Sequence, residues 1–262
     1  MAGTGNRKRS KGAKAVAAAR PGARRSTIVA VVAVVLLAAG VIAGVYFTKS
    51  KTERTAEQAI PVVSKEVGYP VARDGGTVLA GKDTAKLTVD VYADFLCPAC
   101  GQFEKANSAD LERNLNAGTI KVRYHMLPML NSASNPPGYS LDSANAALAA
   151  ADGGKFVQFH DSLFGSQPDE GGRGYDKQQL IALGRALGLG DDFAQAVTSG
   201  KYDQEVNAGM SAAEQAPHLQ ATRRDGSKGF RGTPTVAVGD QVVDTSVPGW
   251  LDGLIKAAGN KQ

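Results

Sequence analysis

The 262-residue chain has two cysteines, three histidines and one tryptophan, and it carries no acidic residue before Glu53. Each shortage excludes something. A structural zinc site takes four ligands, and His125, His160 and His218 have no ligand-like spacing to the two cysteines, so no metal is expected. The positions of the three histidines suggest no Ser-His-Asp arrangement. The Gly-rich stretch 171–177, "GGRGYDK", follows no strand and matches no phosphate-cradling pattern; it reads as a mobile loop, and no cofactor is expected. There is no internal repeat at solenoid periods.

The missing acids at the N-terminus define a topology. Residues 1–27 hold eight Lys/Arg and no Asp/Glu, followed at 28–47 by "IVAVVAVVLLAAGVIAGVYF", twenty residues without a charge. At about 1.5 Å per residue such a helix spans about 30 Å, the thickness of a bilayer's hydrocarbon core. The run is longer than a signal-peptide core and ends in Tyr46 and Phe47, so it predicts an uncleaved membrane anchor. The basic tail stays cytoplasmic and everything after the helix is exported: a single-pass protein of the cell membrane. The net charge of +5 then misleads. Residues 1–51 contain ten of the thirty Lys/Arg, and the remaining twenty stand against twenty-five acids, a net of −5. A mildly acidic exported part argues against a nucleic-acid partner. Residues 48–67 read as a polar linker, helical in part, and residues 68–262 as one domain.

Both cysteines fall in "DFLCPACGQFE", residues 94–104. A bridge across two intervening residues closes almost no loop entropy, so the pair is there for its chemistry. Residues 75–81 and 86–95 read as strands, the second running directly into Cys97-Pro98-Ala99-Cys100. From Pro98 the spacing of Phe103, Leu111 and Leu115 predicts a helix that stops at Gly118, and residues 119–127 form a third strand, parallel to the second. Residues 140–220 read as helices only. Residues 232–244 give two short strands around Gly239-Asp240, and a closing helix turns Leu251, Leu254 and Ile255 inward.

A strand ending in "DFLCPACGQF", a helical insertion, and "GTPTV" opening a late hairpin resemble the DsbA-like oxidoreductases of the thioredoxin fold. "AALAAADGGKFVQFHDSLF" is similar to the first helices of that family's inserted domain, and the resemblance covers roughly residues 87–258. A lone C-x-x-C is a weak signal; at a strand-to-helix junction with a distant Thr-Pro it is a strong one. The expected fold is therefore α/β, thioredoxin-like, with a helical insertion, preceded by one transmembrane helix. The chemistry points the same way. A cysteine in the first turn of a helix meets the positive end of the dipole and unpaired N–H groups, which favour its thiolate. Cys97 occupies that place as nucleophile, Cys100 as the resolving thiol, and Pro98 fits the first helical position.

The resemblance implies that Thr233-Pro234 is a cis peptide beside the pair, with Thr233 offering backbone hydrogen bonds to an extended substrate. It implies thiol–disulfide exchange on exported proteins with thiols, and a quinone-linked disulfide-forming membrane protein as redox partner. Ala99 stands where the strongly oxidising branch has a histidine, so a milder oxidant is expected. One departure is that Val91 replaces the buried acid six positions before the first cysteine of thioredoxin. Asp94, three before, is expected to cap the helix or face solvent, with a role as proton relay left open.

Rival readings use the same residues. An extracytoplasmic reductase for cytochrome c assembly or thiol repair would run the exchange in the other direction. A copper-delivery module would bind Cu(I) through the cysteines with His125, Met126 and Met129. Against it, Met126 and Leu127 read as strand core and Met129 as loop packing. A binding module with an inert disulfide is a third alternative. His160, among Phe156, Phe159, Leu163 and Phe164, reads as packing, and so does Trp250.

Overall fold

The alternation in "LTVDVYA" places Leu87, Val89, Val91 and Ala93 on one face of strand β3 (Leu87–Ala93), all buried. The parallel neighbour β4 (Ile120–Met126) alternates in step, from Leu87 opposite Ile120 to Ala93 opposite Met126. Between them runs helix α1 (Pro98–Ala117), the parallel strand–helix–strand unit the sequence predicts. Its inward face is Phe103, Leu111 and Leu115. Gly118 ends it in the left-handed region at φ 76°, where its N–H meets the Asn114 and Leu115 carbonyls and a Cβ would be strained.

The computed structural model describes residue 33 and residues 36–41, 55–56, 58–222 and 225–260. Two compact units divide the chain, Met1–Phe47 and Thr48–Gln262. In the first, residues 33 and 36–41 are helical, with Leu36, Leu37 and Val41 exposed. Most of the apolar run 28–47 lies outside the described residues, and among the described residues no helix is long and apolar enough to cross a membrane.

In the second unit the main sheet runs β1 (Val71–Asp74), β2 (Thr77–Ala80), β4, β3, β7 (Thr235–Val238), β8 (Gln241–Val242). Gly239, at φ 55°, makes the β7–β8 turn at the expected place. β1 was not expected. It is a short edge strand with every second residue exposed, paired to β2 across the turn at Gly75-Gly76. A second unexpected hairpin, β5 (Gln220–Thr222) with β6 (Lys228–Phe230), follows the helical block.

The insert contains α2 (Tyr139–Asp152), α3 (Phe156–Gly165), α4 (Lys177–Ala186), α5 (Asp191–Ser199) and α6 (Asp203–Gln215). Eleven of the fourteen residues of α2 are buried, which makes it the insert's central helix rather than a surface one. Its alanines permit that, because a helix with few large side chains lets α3, α4, α5, α6 and β1 approach it from several sides. Two of its buried polar side chains find partners inside the insert: Ser143 Oγ donates to the Tyr139 carbonyl at 2.6 Å, and Asn145 Oδ1 accepts from the Tyr202 N–H at 2.8 Å. A closing helix, α7 (Trp250–Gly259), is tied to α1 by Trp250 Nε1 donating to Asn107 Oδ1 at 2.9 Å.

The stretch read as a linker is docked where it is described. No residue of 58–67 is in a helix or strand; the chain runs against the domain, with Ile60 buried. The Val63 N–H donates to Ser162 Oγ at 2.8 Å, and Lys65 pairs with Asp161 at 2.6 Å and Glu112 at 3.0 Å. The Gly-rich stretch is tied down too, by Arg173 pairing with Asp176 at 2.6 Å and by the Gly171 N–H on the Ala133 carbonyl at 2.8 Å.

The close packing around α2 gives a direct test. Ala147→Leu forces three extra carbons into a fully buried position and should destabilise the domain by about 1–3 kcal/mol in a denaturant titration. An unchanged midpoint would mean α2 is not the packed centre of the insert.

Candidate active site

β3 delivers the chain to one end of the sheet, and the Cys97 N–H closes a turn on the Asp94 carbonyl at 3.1 Å. Cys97 is the N-cap of α1 with extended dihedrals, φ −72° and ψ 115°, and Pro98 occupies the first helical turn as expected. Pro98 and Ala99 are exposed at the tip. Cys97 is 7% exposed and Cys100 is fully enclosed, so only the first sulfur can be reached from outside. Both are thiols.

The late hairpin comes to the same place. Pairing of β3 with β7 runs from Asp90–Ala237 to Tyr92–Thr235, and Thr233 lies just beyond it. The Thr233–Pro234 peptide is cis, as the resemblance implies. Cys97 Sγ lies 3.3 Å from the Thr233 carbonyl and donates to it as a thiol. The contact to the pair is thus made by Thr233, next to Pro234 across a gap of 136 residues in sequence.

Ionisation separates the two sulfurs. The Cys100 thiol, donating to Cys97, does most to hold Cys97 down to about 5. Burial opposes this, while the Thr233 side chain and the Cys100 and Ala99 N–H groups add to it. The Thr233 carbonyl favours the thiol, but it is one acceptor against several donors. Cys100 goes the other way, pushed far above its usual range by burial and by the Cys97 sulfur beside it. One sulfur is a nucleophile at neutral pH and the other is held protonated until a bond to Cys97 is there to attack. This arrangement can carry out thiol–disulfide exchange.

Asp94 departs from its expected place. It neither faces solvent nor caps the helix. Its carboxylate is fully buried and accepts from the Leu96 N–H at 2.8 Å, Ser140 Oγ at 2.7 Å and the Leu130 N–H at 2.7 Å. All three donors lie outside α1, so Asp94 joins the redox turn to the loop after β4 and to the start of α2. Burial raises it to about 6, above what those bonds would give, and the Cys97 charge adds to the rise. Val91, at the position of thioredoxin's buried acid, is apolar core.

The copper set is not brought together. His125 stacks on Tyr92 with centroids 4.1 Å apart and its Nε2 lies 2.8 Å from Asp90 Oδ1. Met126 is buried in the strand, as is Leu127 beyond it. Met129 is not loop packing: it is 41% exposed, with Sδ 3.9 Å from Thr233 Oγ1, beside the redox pair. Among the described residues no cluster of His, Cys, Asp or Glu could hold a metal ion. His160 packs as expected, among Phe95, Tyr124, Phe156 and Phe164. It also faces Glu104 of α1 at 3.7 Å, a buried acid that the helical pattern alone did not distinguish from a surface one.

Comparison with known proteins agrees with this geometry. A family model described as thioredoxin matches residues 73–257. The chain belongs to the thioredoxin family. Among curated relatives of this thioredoxin-family chain, the serine/threonine-protein kinase PknE of Mycobacterium tuberculosis is 30% identical over 215 residues, 79% of the chain. The chain spans 36% of that kinase's length. Among solved structures, reduced DsbA from M. tuberculosis superposes with a TM-score of 0.59 at 30% identity, covering 70% of this chain and 92% of that one. The disulfide bond oxidoreductase DsbG from M. tuberculosis gives 0.58 at 30% identity, with 69% and 86% covered. Both of these solved structures are described as disulfide oxidoreductases or DsbA.

The lowered Cys97 value has a thermodynamic consequence. Between about 5 and an ordinary value near 9 the folded dithiol binds fewer protons at Cys97 than the unfolded chain does. Its stability therefore rises with pH across that window and is lost as pH falls through about 5. Asp94, raised rather than lowered, favours the fold at acid pH and loses that contribution as pH climbs to about 6, so above that pH the change is set by Cys97. Thermal melts of dithiol and disulfide forms should show the dithiol's advantage growing from pH 5 to 9. An advantage independent of pH would contradict the assignment of Cys97 as the ionised sulfur.

Proposed function

We propose that this protein is a membrane-tethered thiol–disulfide oxidoreductase that introduces disulfides into exported proteins. The observation that carries this is the separation of the two sulfurs, with Cys97 held as thiolate and Cys100 as thiol. A stabilised reduced form is what makes a disulfide a good donor, because the pair gains by accepting electrons.

In the oxidised state a substrate thiolate attacks Cys97 Sγ. A substrate–Cys97 bond forms, the Cys97–Cys100 bond breaks, and Cys100 leaves and takes up a proton. A second substrate thiolate attacks the substrate sulfur of the mixed disulfide. The substrate disulfide forms and Cys97 departs as its stabilised thiolate. The substrate has lost two electrons and the pair has gained them. Run in reverse, Cys97 attacks a substrate disulfide and Cys100 resolves the mixed species. Thr233, beside Cys97 and just past the end of the β3–β7 ladder, supports the reading that an extended substrate docks there through its backbone.

The tether rests on the sequence: twenty uncharged residues at 28–47 behind a basic tail that the positive-inside rule keeps cytoplasmic. An exported compartment suits net oxidation, since disulfides form and persist there. Re-oxidation then calls for a membrane partner, of the quinone-linked disulfide-forming kind, which anchoring would keep in the same plane.

Cys97→Ser should abolish exchange in insulin reduction and RNase refolding, whereas Cys100→Ser should accumulate covalent complexes with substrates. Full activity in Cys97→Ser would refute the mechanism. Alkylation trapping in cells should find the pair mostly oxidised. A mostly reduced pair would reverse the direction to that of a reductase while leaving the chemistry intact.

A further inference from the structure

We infer that Gln167, in the loop after α3, is a positioning residue for the redox turn, holding the backbone on both sides of Leu96 so that the N-terminus of α1 stays aimed at Cys97. Its side-chain amide donates two hydrogen bonds from one nitrogen, to the Phe95 carbonyl at 3.0 Å and to the Cys97 carbonyl at 2.8 Å. These carbonyls belong to the turn that ends β3 and opens the helix. The Cys97 carbonyl also receives the Cys100 N–H at 3.0 Å and the Gly101 N–H at 3.3 Å, the first helical bonds of α1. Gln167 therefore sits at the point where the strand stops and the helix starts.

Gln167 is itself held. α3 ends with the Ser166 N–H on the Ser162 carbonyl at 3.2 Å, and the buried Tyr175 hydroxyl donates to the Ser166 carbonyl at 2.8 Å. On the other side it lies against Gly101, where an added Cβ would fall 2.3 Å from Gln167 Oε1. The glycine after Cys100 thus has a specific use: it leaves room for the amide on the first turn of α1.

Two effects of this clamp have the same sign. It fixes the turn from which the Ala99 and Cys100 N–H groups meet the Cys97 sulfur, and a fixed donor array stabilises charge better than one that must reorganise. The amide also places its positive N–H end on two carbonyl oxygens near that sulfur, offsetting their negative ends. Without it the thiolate should be less favoured. Neither effect depends on the direction of electron flow or on where the domain resides, so the test stands apart from the proposed function.

The test is an ultraviolet thiolate titration of the full chain. With only two cysteines, and Cys100 protonated throughout, the signal is that of Cys97. Gln167→Met keeps the length of the side chain and removes both hydrogen bonds. The Cys97 midpoint should rise by about one pH unit, the tenfold change that one hydrogen bond is worth. The reduction potential should become more negative by about 30 mV. Gly101→Ala, which suits a helix better than glycine, displaces Gln167 without removing it and should shift the midpoint in the same direction. The double variant should shift no further than Gln167→Met alone. A folded Gln167→Met protein that titrates like the parent overturns the inference. Should that variant not fold, Gly101→Ala decides: a raised midpoint supports the clamp and an unchanged one refutes it.

Discussion

The site depends on one electrostatic constraint, the placing of a nearly enclosed sulfur where donors outnumber acceptors. Cys97 is 7% exposed, and burial by itself would keep it a thiol. The Cys100 thiol, the Thr233 side chain and the first N–H groups of α1 reverse that. The thiol and the N–H groups come from α1 and the Thr233 side chain from the segment before β7, so the charge exists only when β3, α1 and that segment meet at one end of the sheet. Fold and reactivity are the same fact seen at two scales.

Two further groups keep that meeting point in order. Asp94 accepts from the redox turn, the loop after β4 and the first turn of α2, and Gln167 donates from the loop after α3. Both lash the helical insert to the turn carrying the cysteines. The insert is therefore part of the site's support as well as a cover beside it, and its alanine-rich central helix lets it pack closely enough to reach. A carboxylate in this position opposes the Cys97 charge, and the protein tolerates it because three donors stabilise the acid at a location where no solvent can.

What the sequence made legible follows from how local each signal was. The β3–α1–β4 unit, the stop at Gly118 and the turn at Gly239 are written in consecutive residues. β1 escaped notice because four residues with alternate exposure carry little pattern, although Gly75-Gly76 marks the turn. The β5–β6 hairpin was similarly short, and its Asp225-Gly226 was the available hint. Charged residues are read as exposed by default, and nothing near Asp94 or Glu104 said otherwise; their burial is decided by partners elsewhere in the fold. Gln167 is the extreme case, its acceptors being 70 and 72 residues away, and no local feature separates it from any loop glutamine. The place of Met129 is hidden for the same reason, since its neighbour Thr233 lies 104 positions on.

On the proposed direction of exchange the pair favours its reduced form, and one equilibrium measures that most directly: the reduction potential of Cys97–Cys100, titrated against a glutathione or dithiothreitol buffer. A stabilised thiolate, without a histidine at Ala99 to strengthen it, predicts a value of about −120 to −220 mV. A potential below about −300 mV would mark an inert structural bridge and would contradict the account.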